Sequence, residues 1–400
     1  MASLSLGAPR RRGGANNSNS NSNSSSAASA STSSSTQPGT RSSLLADESI
    51  RSTDSDALIS RLSALQAGYL PAERKGSSER SSFSHYLLPM GTPLPLPKRP
   101  PIINIGTALR CLTIDQHVER FLRKGDQKKQ IISLGAGSDA RYFRILADEA
   151  LSARLAHYVE LDFSQLTRAK VERIARADPL RKSLQGMRVE ANGTALRSAS
   201  YTILPGDLRE LADPSKSAAL QHTLWSILHP SLPTLILAEC VLSYLPAQDS
   251  TSLLSFLSRR FNNISALSYD MCISGSDRLG EAPKPSKFGS VMLSNLAARG
   301  LTLEGAKECT TPTAYAEKFL SAFEAGAATL GDSKVVDSGC TNLRQVWAQM
   351  NAEERSRWSR LEGLDEVEEL EILLEHYGVS WATRERGTNL LETDGGQPES

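Results

Sequence analysis

The chain has 400 residues, with 45 basic and 44 acidic side chains and a net charge of +1. This balance gives no electrostatic reason to expect nucleic acid or an anionic membrane as the main partner. The five cysteines are scattered singly, without CxxC pairs, which fits a reducing compartment and argues against a zinc site. No apolar run in the sequence is long enough to span a bilayer. We therefore expect a metal-free protein that binds neither nucleic acid nor membranes.

The two ends of the chain differ in composition from the rest. Residues 1–45 are mostly Ser, Asn, Ala, Gly and Thr, so we predict a disordered low-complexity tail. Its arginine-rich, acid-free start resembles a mitochondrial transit peptide, but the arginines cluster and no amphipathic helix is evident. We expect a cytoplasmic protein, with the nucleus as a second compartment, and a flexible C-terminal tail over 386–400.

The folded part opens with a helical pattern. Residues 46–70 predict a helix with Asp54 or Ser55 as its cap and three leucines on one face. Residues 71–101 are rich in Ser and Pro, which predicts an extended linker or an insertion. A second helix is predicted over about 107–123.

An alternation of apolar runs and amphipathic segments follows. The predicted strands are 130–134, 157–163, 201–204, 234–240 and 264–271. The predicted helices between them are about 139–152, 164–176, 215–228 and 247–261. Further helices are predicted at about 288–299, 313–326, 342–349 and 364–376, with strands at 334–337 and 378–384. The fold class is therefore α/β, with a Rossmann-like parallel sheet and added N-terminal and C-terminal helices over 46–385.

The first predicted strand ends in the glycine-rich run LGAGSDA. Gly135 and Gly137 allow the backbone to turn tightly and to approach a ligand without an intervening Cβ. The run satisfies the dinucleotide pattern GxGxx(G/A) with Ala140 last, although small residues at such a turn often serve packing alone. Ligands of open parallel sheets bind outside the carboxyl ends of the strands. The residues that follow the other strands are therefore the next candidates.

Carboxylates stand at three of these strand ends. Glu160 and Asp162 share a face at the end of the second strand and are placed to bind ribose hydroxyls. Asp207 follows the third strand and could bind an adenine amino group, with Leu208 against the ring; a helix cap is the alternative. Glu239 ends the fourth strand and needs a cationic partner, either a ligand or an arginine.

The negative charge at these strand ends distinguishes between two classes of enzyme, dehydrogenases and methyltransferases. A dehydrogenase places pyrophosphate at the helix start after the glycines, where Asp139 would repel it. S-adenosylmethionine has no phosphate and carries a cationic sulfonium and an ammonium. The acidic strand ends therefore favour an S-adenosylmethionine-dependent methyltransferase over a dehydrogenase.

Several motifs resemble one methyltransferase family, the leucine carboxyl methyltransferases. They are VELDF, GDLREL, AECVLSYLP, GTALR and the closing LDEVEELEILLEHYGVSWAT, and the resemblance covers about 46–70 and 101–385. It implies a methyltransferase fold with an added helical region that shapes a peptide pocket. It also implies methylation, by S-adenosylmethionine, of the α-carboxylate of the C-terminal leucine of the protein phosphatase 2A catalytic subunit.

The resemblance also implies roles for individual residues. Gly135, in the glycine turn with Gly137, would contact the cofactor, and Asp162 would bind its ribose. Asp207 and Leu208 would hold the adenine. Glu239 would lie beside the methionine portion of the cofactor.

The resemblance also implies basic residues that bind the carboxylate of the cofactor. Arg110 resembles the family residue that grips the cofactor carboxylate, and Arg61 falls where the family has a basic residue near the same group. A carboxylate acceptor is already ionised near neutral pH, so no general base is expected. We expect Arg61, Arg110 or Arg141 to be its partner. Tyr244 either lines the site or is a plain core or rim tyrosine.

The chain departs from the family pattern in two places. The run LPAERKGSSERSS replaces an Asp-Pro-aromatic segment, and Arg141 replaces a smaller, uncharged residue. An altered lid leaves open a catalytically impaired scaffold that binds the cofactor. A second alternative is the related enzyme that methylates a carboxylate on wybutosine-type modified tRNA; that relative usually continues into a β-propeller, whereas this chain ends at Ser400.

Overall fold

The computed structural model describes residues 38–73, 82–276, 284–330 and 333–386. The predicted tail at 1–45, apart from its last eight residues, and residues 387–400 lie outside these ranges. The strands are β1 (Lys129–Leu134), β2 (Leu155–Asp162), β3 (Arg188–Glu190), β4 (Ala195–Arg197), β5 (Tyr201–Pro205), β6 (Thr234–Glu239), β7 (Ile264–Met271), β8 (Ser333–Asn342) and β9 (Tyr377–Arg386).

Thirteen α-helices surround these strands within the described ranges. They are α1 (Pro38–Gln66), α2 (Pro101–Arg123), α3 (Arg141–Ala147), α4 (Glu149–Ser152), α5 (Ser164–Arg176), α6 (Asp178–Ser183), α7 (Pro214–Ile227), α8 (Ala247–Ser258), α9 (Lys287–Ala297), α10 (Pro312–Leu330), α11 (Leu343–Gln349), α12 (Ala352–Leu361) and α13 (Val367–Glu375). As far as the structure is described, no helix combines the length and apolarity that crossing a membrane requires.

The strands form one nine-stranded sheet in the order β3-β4-β5-β2-β1-β6-β7-β9-β8. The five central strands are parallel, and they are the first five that the sequence predicts; the two later predictions, 334–337 and 378–384, correspond to β8 and β9. Antiparallel strands extend both edges, with β9 inserted between β7 and β8. This topology confirms the Rossmann-like α/β class, and its chain reversal beside β1 creates a crevice at the carboxyl ends of the strands.

The core lies on both faces of the sheet. Successive residues of β1 illustrate this, because Ile131 belongs to one buried cluster and Ile132 to the other. The first cluster includes apolar residues of α1, α2 and α13, and the second includes those of α8 and α10. Since both faces are covered, the central strands are buried along most of their length rather than at alternate residues.

Several elements differ from their predicted bounds. Helix α1 begins at Pro38, so it extends into the predicted tail, and Asp54 lies inside it rather than at a cap. Helix α2 begins at Pro101 instead of about 107, because proline is well tolerated in the first turn of a helix. The single helix predicted over 139–152 is two helices, since Asp148 caps a new start with its side chain.

The segment predicted as a linker is docked onto the domain where it is described. It contains a short 3₁₀ helix, Phe83–Leu87, and Phe83 stacks on Phe143 of α3 with ring centroids 6.1 Å apart. Farther along, the Arg99 backbone N–H donates to the Ser63 hydroxyl on α1. These contacts hold the segment against α3 and α1.

Candidate active site

A cavity of about 380 Å³ opens at the carboxyl ends of β1, β2, β5 and β6, between the sheet and α1. Helix α1 supplies one wall, because its lining residues recur at each helical turn. Those residues are Ala46, Asp47, Ile50, Thr53, Asp54, Ala57, Leu58 and Arg61. The predicted site residues Arg110, Gly135, Gly137, Asp162, Asp207, Leu208, Glu239 and Tyr244 all line the same cavity.

The glycine turn is shaped by side chains of the protein itself. Gly135 and Gly137 both adopt positive φ, at 58° and 46°. A Cβ on Gly135 would lie 2.6 Å from Cγ2 of Val241, and one on Gly137 would collide with the Asp54 carboxylate. Both glycines line the cavity, and the contacts that exclude a side chain come from Val241, in the segment after β6, and from Asp54 of α1.

Asp162, at the end of β2, is fixed by the turn. Its two carboxylate oxygens accept hydrogen bonds from the backbone N–H groups of Gly137 and Phe163, both at 2.7 Å. Burial raises the pKa of Asp162 to about 6, against the opposing effect of these backbone donors. Both donors to the Asp162 carboxylate are neutral backbone N–H groups, and no cationic side chain is hydrogen-bonded to it among the described residues.

Glu160 does not share this environment, and its expected place at the ligand is wrong. It is buried two residues deeper in β2, where Lys170 of α5 forms an ion pair with it at 2.5 Å. Burial raises the pKa of Glu160 to about 7, although Lys170 acts to lower it. Glu160 and Lys170 are both buried, and Glu160 does not line the cavity, so it is part of the core.

Asp207 is joined to α1 through an arginine that sequence reasoning missed. The Nε atom of Arg209 donates to both carboxylate oxygens of Asp207, at 2.9 and 3.1 Å. Its terminal nitrogens bind the Asp47 carboxylate at 2.8 and 2.9 Å. The guanidinium also lies 5.7 Å from the centroid of the Phe163 ring. Asp207 therefore anchors α1 besides lining the cavity beside Leu208.

Glu239 lies between two arginines. Its Oε2 accepts a hydrogen bond from Nε of Arg110 at 3.0 Å, and its Oε1 forms an ion pair with Nη1 of Arg141 at 2.6 Å. Burial alone would raise the pKa of Glu239, but Arg141 and then Arg110 outweigh burial and lower it to about 2. The cationic partner that the sequence requires is thus a pair of arginines from α2 and α3. Arg110 also stacks over the Tyr269 ring at 4.9 Å.

This pair begins a chain of alternating charges that ends at Arg61. Arg141 binds Asp139 at 2.6 Å and Asp115 at 2.9 Å. Arg144 continues from Asp115, at 3.0 Å, to Glu73 at 3.5 Å. Glu73 also pairs with Arg61 at 3.1 Å. Four arginines are balanced by four carboxylates along this path, so the two arginines expected at a ligand carboxylate belong to one connected network.

Helix α1 is also attached directly to the glycine turn. The Asp54 carboxylate accepts from the backbone N–H of Ser138 at 2.6 Å and from its hydroxyl at 2.7 Å. Arg173 of α5 donates to the same hydroxyl at 3.0 Å. The two partners are far apart in sequence and lack a shared motif, so no local signal predicted this contact.

Two further features complete the wall. Tyr244 is buried and lines the cavity, and burial raises its pKa far above the usual range, so its hydroxyl stays protonated. Cys240, directly after β6, adopts φ +54°, which non-glycine residues rarely do and which often occurs at functional sites. Within the described ranges, no cluster of His, Cys, Asp and Glu could hold a metal ion.

Comparison with known proteins identifies the family. The family model described as leucine carboxyl methyltransferase matches residues 71–258. A leucine carboxyl methyltransferase 1 of Mycosarcoma maydis is 38% identical over 87% of this chain and 80% of that protein. The chain belongs to the leucine carboxyl methyltransferase family. The homologue of Cryptococcus neoformans is 37% identical over 85% of this chain and 94% of its own length.

Membership in this family makes the protein a carboxyl methyltransferase. The matched range 71–258 includes the 71–101 segment. Among solved structures, a magnesium protoporphyrin IX methyltransferase of Synechocystis with bound S-adenosylhomocysteine is 11% identical, with a TM-score of 0.34 over 72% of this chain and 89% of that one. A likeness that weak does not bear on activity.

Proposed function

We propose that this enzyme transfers a methyl group from S-adenosylmethionine to the α-carboxylate of the C-terminal leucine of the protein phosphatase 2A catalytic subunit. Family membership supports carboxyl methylation. The observation that carries the proposal is the convergence of the glycine turn, Asp162, Asp207, Glu239 and Arg110 on one cavity. Its volume is within the range of about 300–1,000 Å³ that small-molecule sites occupy.

The residues at one end of the cavity fit a nucleoside. Asp162 can accept hydrogen bonds from ribose hydroxyls, because each carboxylate oxygen keeps a lone pair beyond the backbone N–H it already binds. Leu208 and Phe163 offer apolar surface for a purine ring. Asp207 keeps acceptor capacity beside Arg209 for an exocyclic amino group.

The other end fits carboxylates. Among the described residues, the terminal nitrogens of Arg110 have no hydrogen-bond acceptor, while its Nε is held by Glu239 and its plane by Tyr269. A guanidinium edge oriented in this way matches a carboxylate. The cofactor would supply an electrophilic methyl group on its sulfonium. The residues of this chain would align the acceptor oxygen with that group and exclude water, and no proton needs to be removed.

A labelling assay tests the proposal. The enzyme is incubated with methyl-tritiated S-adenosylmethionine and the purified phosphatase catalytic subunit, either intact or without its terminal leucine, and separately with bulk tRNA. We expect base-labile label on the intact subunit alone. Label on RNA would favour the tRNA-modifying alternative. Cofactor binding without transfer to any acceptor would favour the scaffold alternative, and either result would overturn the proposal.

A further inference from the structure

The buried guanidinium of Arg141 occupies a position that the methyl-transfer scheme above leaves unexplained. Its side chain is 3% exposed, yet it borders the cavity and contacts three carboxylates. They are those of Glu239, Asp139 and Asp115. An arginine in such a place determines which oxygens of those acids stay available to other cations.

We propose that Arg141 is a positioning residue that holds one oxygen of Glu239 and so keeps the terminal nitrogens of Arg110 free to bind the carboxylate of the cofactor. The inference rests on the proposed function, since it assigns Arg110 to a ligand carboxylate. It concerns the protein's own ion pairs, which the family assignment does not describe.

The two carboxylate oxygens of Glu239 contact different arginines. Arg141 takes Oε1 at 2.6 Å, and Arg110 takes Oε2 through Nε alone at 3.0 Å. Carboxylates and guanidinium groups prefer two parallel hydrogen bonds when nothing prevents them. In this arrangement Oε1 of Glu239 lies against Arg141 rather than Arg110, and Glu239 and Arg110 make a single hydrogen bond through Nε.

Removal of Arg141 would change how Glu239 pairs with Arg110. Oε1 of Glu239 would lose its partner, and Arg110 would be the nearest remaining arginine bonded to this carboxylate. A bidentate pair would then take Nε and one terminal nitrogen of Arg110. This bidentate pair would leave Arg110 with fewer free N–H donors for a ligand carboxylate, and Glu239 would neutralise more of its positive charge.

Two other carboxylates hold the Arg141 side chain in place. Asp139 and Asp115 bind its Nη1 and Nε, at 2.6 and 2.9 Å, from the glycine turn and from α2. Arg141 therefore cannot follow Glu239 toward the ligand without breaking two other ion pairs. The arrangement links the orientation of Arg110 to the turn that carries Gly135 and Gly137.

The experiment compares two ligands by calorimetry on the full chain. S-adenosylhomocysteine carries the amino-acid carboxylate, whereas 5′-methylthioadenosine has the nucleoside alone. For Arg141→Met we expect the affinity for S-adenosylhomocysteine to fall about tenfold or more, with the affinity for 5′-methylthioadenosine changed less than about threefold. A loss that is merely structural would lower both affinities equally.

Two further variants keep the test decisive. Arg144→Met removes a charge from the same network without touching Glu239, so the ratio of the two affinities should stay at the wild-type value. Arg141→Lys keeps the charge and should restore the ratio in part, and it serves if the methionine variant does not fold. An unchanged ratio in both Arg141 variants would overturn the inference. Failure of the wild type to bind S-adenosylhomocysteine would instead contradict the proposed function.

Discussion

The carboxylate of Asp54, on α1, accepts hydrogen bonds from both the backbone N–H and the hydroxyl of Ser138, in the turn after β1, at 2.6 and 2.7 Å. Backbone N–H groups of a glycine-rich turn and of the helix that follows it bind phosphate in dinucleotide-binding proteins. Here an acidic side chain of the protein occupies one such group, the N–H of Ser138. The contact therefore fixes α1 over the cavity and also disfavours phosphorylated nucleotides.

Asp54→Ala should weaken binding of S-adenosylhomocysteine, because the wall formed by α1 loses its attachment to the glycine turn. The free energy of unfolding should fall by about 2 kcal/mol, as expected for hydrogen bonds to a charged acceptor. Calorimetry and urea denaturation measure the two effects. Asp56→Ala is the matched control on the same helix, since Asp56 pairs with Arg99 and Arg299 outside the cavity lining. Equal losses of affinity in both variants would refute a specific role for Asp54.

Asp162→Ala should abolish most cofactor binding and also destabilise the fold. The two backbone N–H groups that Asp162 satisfies would be left without it, at a cost of about 1–3 kcal/mol each if they stay dry. Saturating ligand should therefore raise the melting temperature of the wild type but hardly that of the variant. If the variant is stabilised as strongly by ligand as the wild type, Asp162 does not bind the ribose.

Cofactor affinity should depend on pH through the same residue. Burial raises the pKa of Asp162 to about 6, so the carboxylate that accepts ribose hydroxyls is lost as the pH falls below that value. We expect the affinity for S-adenosylhomocysteine to fall about tenfold per pH unit below the pKa. The affinity of Asp162→Asn should be low and nearly independent of pH in this window. A wild-type profile that stays flat from pH 7 to pH 5 would contradict this assignment.

The free energy of unfolding of the unliganded protein should change with pH in the opposite direction to the cofactor affinity. Because the folded-state pKa of Asp162 is higher than its unfolded value of 3.8, folding favours the protonated form. The stability that this residue contributes is fully present below pH 4 and is lost as the pH rises through 6. Urea denaturation of the wild type and of Asp162→Asn at pH 4 and pH 7 isolates this contribution, and ligand binding should offset it near neutrality.

The pair formed by Arg61 and Glu73 should hold the 71–101 segment on the domain. Glu73 has a side chain that is 2% exposed, and it also accepts hydrogen bonds from the backbone and hydroxyl of Ser84. Glu73→Ala leaves Arg61 without this partner and should cost about 3 kcal/mol or more. In a double-mutant cycle with Arg61→Met, the two losses should not add. Additive, small losses would show that the segment is held by other contacts.

The sheet could be predicted from the sequence because its central strands are largely apolar segments that alternate with amphipathic helices. β6, for example, is buried along nearly its whole length and was predicted within one residue. β3 could not be found in this way, since all three of its residues are exposed and give no periodic signal. Helix α12 was missed for a related reason: Trp358 is its one fully buried residue.

The residues of the candidate site were easier to predict than their partners. Strand ends converge in any parallel sheet, so Asp162 and Glu239 could be placed at one edge from their positions alone. Their ion pairs depend on side chains brought together by tertiary packing. Arg110 and Glu239 are 129 positions apart, and Asp47 and Arg209 are 162 apart. No local pattern encodes such contacts.

The proposed methylation of the terminal leucine is tested most directly by mass spectrometry. The C-terminal peptide of the phosphatase catalytic subunit is analysed after incubation with this enzyme and S-adenosylmethionine. We expect the peptide to gain the mass of one methylene group on its terminal leucine and to return to its original mass after mild alkali. A peptide that keeps its mass while the enzyme demonstrably holds the methyl donor, or a methyl group located on any other residue, would contradict the proposed methylation.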